Sequence, residues 1–125
     1  MRSSLEVHAP LSRGGFAVVV LVSLAVLFAP GDDVPFAPAG VDKLIHAALF
    51  AALALTGRWA GIGRSVLGGL LVVYAAASEV LQAVTPLDRT ASVADWLGDV
   101  VGVLLGLALW ELLSRRLSRR QGPVR

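Results

Sequence analysis

Eight polar side chains stand inside, or at the mouths of, strongly apolar stretches of this chain: Asp42, Lys43, His46, Glu79, Gln82, Arg89, Asp95 and Asp99. Asp42 and His46 are spaced i,i+4, Glu79 and Gln82 i,i+3, and Asp95 and Asp99 i,i+4, so on helices each pair shares one face. A carboxylate at a bilayer centre costs about 2.5–3.5 kcal/mol on insertion scales and less towards the interface. Four polar side chains at Glu79, Gln82, Asp95 and Asp99 therefore either hold helices together or form a working site. As chemistry, Lys43 and Arg89 suit phosphate or carboxylate, and the four carboxylates suit amine or hydroxyl groups. A carboxylate–imidazole pair also suits proton transfer. The set contains a single imidazole and the chain has no cysteine, which makes a poor ligand set, so neither a metal site nor a cofactor is expected. No serine nucleophile motif is present.

The composition says what kind of element must carry these residues. Apolar residues make up 56% of the chain and charged residues 16%, and the mean hydropathy is +0.75. Soluble domains are near 45–50% apolar and about 25% charged, so this is a membrane protein. The absence of cysteine excludes disulfides and thiolate chemistry. The sequence pI of about 9.9 does not point to nucleic acid. The basic residues flank apolar segments and crowd the C-terminus, where they orient helices and meet anionic lipid.

Four apolar segments predict an all-α fold, a four-helix transmembrane bundle over residues 14–113 with spans near 14–30, 44–60, 65–84 and 93–113. Residues 1–13 read as a leader and 114–125 as a basic tail. The first run, GGFAVVVLVSLAVLFAP, spans about 25 Å at 1.5 Å per residue. A signal peptide is its rival reading, because Ala37-Pro38-Ala39 resembles a cleavage site, but Asp32 and Asp33 make the intervening region long and charged. Gly57, Gly61 and Gly63 mark a short turn after the second segment, and Trp59 suits an interfacial anchor.

Orientation follows from Lys and Arg. One set of flanks holds Arg2, Arg13, Arg58, Arg64, Arg115, Arg116, Arg119, Arg120 and Arg125, and the other only Lys43 and Arg89. Both termini are therefore expected in the cytoplasm. Every intramembrane polar residue is then expected in the outer third of the bilayer, with Glu79 and Asp99 about 8–10 Å below their helix ends. The stripe Gly68, Val72, Ala75, Glu79 and Gln82 on the third helix, mostly small residues, and Gly98, Gly102 and Gly106 on the fourth favour close approach. They predict that these two helices pack on each other through those stripes.

Three blocks resemble the VanZ-like family of small bacterial membrane proteins. Asp42-Lys43-x-x-His46-x-x-x-Phe50 resembles that family's D-K-x-x-H block, and Glu79-x-x-Gln82 its E-x-x-Q block. Arg89, Asp95, Gly102 and Gly106 resemble its R…D-x-x-x-N-x-x-G block. Asp99 stands where the family usually has Asn. A carboxylate there needs a cationic partner such as Arg89, Lys43 or His46, or else a proton. The resemblance implies a multi-pass plasma-membrane protein of the cell envelope, in a family whose founding member is linked to resistance to the glycopeptide teicoplanin.

Three functions compete on these residues. The first is an outer-leaflet polar site for a lipid headgroup, a lipid-linked peptidoglycan precursor or a glycopeptide. The second is an intramembrane hydrolase or transferase working by a carboxylate–His acid/base pair, with or without the assistance of a metal. The third is a proton-coupled carrier using Glu79 and Asp99, which with four helices requires a homo-oligomer, such as a dimer, to enclose a path.

Overall fold

The computed structural model describes residues 10–28, 41–84 and 93–121. Within them the chain forms four helices: α1 (Pro10–Leu27), α2 (Val41–Trp59), α3 (Arg64–Val84) and α4 (Val93–Gln121). Pro10 opens α1, at the position where its missing N–H removes no helical bond. α4 continues past Leu113 and carries Arg115, Arg116, Arg119 and Arg120 on helix. The predicted linker and its Ala37-Pro38-Ala39 site, and the loop with Asp88 and Arg89, lie outside the described residues.

The turn joining α2 to α3 follows from its glycines. Gly61 has φ 99°, a backbone region that glycine enters without steric cost. Gly61 N–H donates to Arg58 O and Ile62 N–H to Gly57 O, each at 3.0 Å. These are the two bonds of a Schellman motif, which satisfies the last carbonyls of α2. Arg58 adds a bond from its guanidinium to Ile62 O at 2.9 Å. Gly63 O then accepts from Leu67 N–H and starts α3.

α2 is the central helix, with its most extensive contact on α4 and the next on α1. α2 and α4 run parallel, since Lys43 faces Asp95, His46 faces Asp99 and Arg58 faces Glu111 in ascending order. α1 and α3 also run parallel: Ser23 Oγ lies 3.0 Å from Tyr74 Oη, and Gln82 Nε2 donates to Leu27 O. The core between them contains Phe50, Leu53, Leu67, Leu71 and Val103, with the Phe50 and Tyr74 rings 5.7 Å apart and tilted.

The closest helix contact is not the predicted one. A Cβ on Gly102 would lie 2.9 Å from Ala47 Cα, and one on Gly106 would lie 2.9 Å from Ala51 Cα. The glycine face of α4 therefore docks on α2, not on α3, and the expectation of a matching α3 stripe is corrected. Gly98 has open space around it. α3 meets α4 through larger groups instead: Trp96 Nε1 donates to Val72 O at 3.3 Å, and Leu107 Cδ1 lies 3.6 Å from a Cβ built on Gly68. Tight backbone approach gains van der Waals contact, which is what drives helix association where lipid removes the hydrophobic difference.

The outward faces remain apolar. Val18 and Leu21 on α1, Leu70 and Val73 on α3, and Leu104 and Leu105 on α4 are all exposed. α1, α3 and α4 are each long and apolar enough to cross a membrane. α2 has an uncharged centre between Asp42 and Lys43 at one end and Arg58 at the other, and it is the helix most enclosed by its neighbours.

Candidate functional site

The inward face of α4 brings Asp95, Asp99, Gly102 and Gly106 into line at helical spacing, and the glycines let α2 approach closely enough for its own polar face to meet them. His46 sits one turn above Phe50 on α2, and its Nδ1 lies 3.4 Å from Asp99 Oδ1. Glu79 enters from α3, one turn past Ala75. His46, Glu79 and Asp99 are 2%, 5% and 0% exposed. Each offers one ligand atom, and these atoms all lie within 4.8 Å of one another. Three helices thus deliver an imidazole and two carboxylates to one buried point.

One turn nearer the helix ends, Lys43 Nζ lies 3.9 Å from Asp95 Oδ1, with the lysine side chain more than half exposed. This outer pair is partly solvated through Lys43, which screens the attraction, and it stands one turn above the buried triad. Gln82 is buried too, but its amide N–H is used on Leu27 O and ties α3 to the end of α1. Asp42 falls in the first turn of α2, with its side chain outside those described, and Arg89 lies outside the described residues. Of the eight residues singled out in the sequence, five therefore surround one region: Lys43, His46, Glu79, Asp95 and Asp99.

The structure also holds a second polar layer that the sequence reading passed over. Glu111 on α4 lies 3.6 Å from an Arg58 guanidinium nitrogen and 3.8 Å from one of Arg64. The polar residues are thus not confined to one end of the bundle. The two layers lie about 18 Å apart by the rise of α2 between His46 and Arg58. The signal was present: Glu111 is an acid in an apolar span, and Arg58 and Arg64 lie on the flank that its helix reaches. Ser78 is likewise buried, donating to Ala75 O at 2.8 Å.

Chemically, the triad can hold a proton, orient an imidazole through a carboxylate, or ligate a cation. In low dielectric, two carboxylates at this separation require positive charge or protons beside them. His46 supplies a partner to Asp99, the position at which the sequence demanded one.

No curated protein and no solved structure matches the chain. The family model described as VanZ/LLP1 matches residues 8–114, a stretch that takes in α1, α2, α3, the greater part of α4 and every residue of the polar cluster. With its three blocks on successive helices and this match across most of its length, the chain is an integral membrane protein of the VanZ/LLP1 family.

Proposed function

We propose that the end of the bundle carrying Lys43 and Asp95 is a binding site for the polar headgroup of an envelope lipid or lipid-linked cell-wall precursor, at the outer leaflet of the plasma membrane. The observation that carries this reading is the stacking of a partly solvated Lys43–Asp95 pair over a buried His46–Glu79–Asp99 triad. A headgroup entering from the interface would meet Lys43 first, which suits phosphate, and then carboxylates that suit amine or hydroxyl groups. Its acyl chains would lie along the apolar outer faces of α3 and α4. Retention of such a precursor connects the protein to glycopeptide resistance, since glycopeptides act on the same class of molecule.

A second reading rests on the buried His46–Asp99 pair, an arrangement suited to general acid/base hydrolysis or transfer on the bound headgroup. Lipid that co-purifies with the protein in mild detergent, identified by mass spectrometry, tests the binding reading. One headgroup class should be enriched over the host membrane and lost in Asp95→Asn. A lipid profile equal to that of the bulk membrane would overturn it.

A further inference from the structure

We propose that His46, Glu79 and Asp99 bind one divalent first-row transition-metal ion, with Zn2+ the ion that their donor set suits best. The geometry comes first. Zn–N and Zn–O bonds of about 2.0–2.2 Å put neighbouring ligand atoms of a tetrahedral site roughly 3.3 Å apart. His46 Nδ1 and Asp99 Oδ1 are already 3.4 Å apart. All three ligand atoms lie within 4.8 Å of one another, so closure of the site needs side-chain adjustments on the order of 1 Å and no movement of a helix.

The donor set narrows the ion. Imidazole favours zinc, iron and their neighbours, whereas magnesium and calcium prefer oxygen alone. Three protein ligands leave the fourth position of a tetrahedral ion open to water or to an anionic oxygen. Charge points the same way. A divalent cation matches two buried carboxylates and takes the imidazole as a neutral donor, whereas a histidinium would match only one of them. The ligands also come from three helices locked together, with α2 and α4 in backbone contact at Gly102, which is the rigid mounting a metal site requires. The Lys43–Asp95 pair one turn above is partly solvated and gives an ion a polar way in. This inference stands apart from the headgroup reading, because metal binding is measured with no lipid ligand added.

The test uses the full chain in mild detergent, purified without a polyhistidine tag, carrying His8→Gln to remove the other imidazole, and stripped with EDTA. Titration with Zn2+ by calorimetry, with elemental analysis of the loaded protein, should give one ion per chain, and Mg2+ in excess should not displace it. His46→Gln, Glu79→Gln and Asp99→Asn should each weaken Zn2+ binding by at least the 10–100-fold that loss of a mere supporting partner typically costs. Glu111→Gln, at the other end of the bundle, should bind as the parent does. Helicity and monodisperse elution identify the folded variants. Asp99→Asn keeps the side-chain volume, and by itself it decides the matter if the other two fail to fold. Co2+ loading adds an independent readout, since visible absorption from a low-symmetry site should appear in the parent and disappear in Asp99→Asn. No saturable Zn2+ binding by the parent, or unchanged affinity in folded Asp99→Asn, would overturn the proposal.

Discussion

His46 Nδ1 lies 3.4 Å from Asp99 Oδ1, with both side chains buried, and the pair joins the two parallel helices α2 and α4. Asp99 is a fully buried carboxylate, so its charge needs an answer, and sequence reading offered Arg89, Lys43 or His46. Lys43 faces Asp95 instead, and among the described residues His46 reaches Asp99. One helical turn separates the two pairs on each helix, which is why a single docking of α2 on α4 makes both.

Breaking a buried pair leaves the surviving group without its partner. Asp99→Ala in metal-free buffer should therefore cost about 3–5 kcal/mol. His46→Ala should also destabilise, and the double variant should lose less than the sum, with a coupling in the range of about 0.5–3 kcal/mol. Reversible unfolding in mixed detergent micelles measures all three, and strict additivity would show that the two side chains do not interact.

The glycines of α4 are not equivalent. Gly102→Leu should force α2 and α4 apart and cost at least about 1–3 kcal/mol, seen as a fall in folded protein recovered from membranes. Gly98→Ala meets open space and gains helix propensity, so it should be neutral or stabilising by up to about 1 kcal/mol. Equal damage from both substitutions would contradict the docking of this face on α2.

Topology follows from the asymmetry of arginine. Alkaline phosphatase fused after Gly40 or Arg89 should be active, and fused after Gly61, in the tight α2–α3 turn, inactive. Activity after Gly61 would invert the orientation and move the Lys43–Asp95 end to the cytoplasm.

Amides separate a working site from interhelical glue. Glu79→Gln and Asp95→Asn keep most hydrogen bonding and side-chain volume, so both should reach the membrane at near-parent levels. In a host lacking its own copy, both should nevertheless lose any protection against glycopeptide that the parent chain confers. Variants that protect as well as the parent would leave these residues a structural role alone.

Arg58 and Glu111 predict an unequal response at the opposite end. Arg58 both faces Glu111 and bonds Ile62 O in the turn, so Arg58→Ala should cost about 1–2 kcal/mol through the loss of two partners. Glu111→Gln should stay within about 1 kcal/mol, because both ion pairs are partly exposed. Thermal unfolding in detergent distinguishes the two.

The sequence by itself determined the class of protein, the four helices, the turn at Gly61 and the inward faces of α3 and α4. These are local matters: apolar run length against bilayer thickness, a glycine free to adopt positive φ, and the recurrence of polar and small residues at three and four. It also marked Glu79, Asp95 and Asp99 as costly at depth and therefore purposeful. Only the tertiary structure decided which faces meet. A small-residue stripe states that some backbone comes close but carries no label for the partner, and the partner of Gly102 and Gly106 proved to be Ala47 and Ala51 of α2. The same docking chose His46 for Asp99 and Lys43 for Asp95, and it brought Glu79 in from α3 to complete the triad. Glu111 went unremarked for a related reason: its role depends on two arginines distant in sequence, and helical periodicity reports neighbours on one helix but not across three.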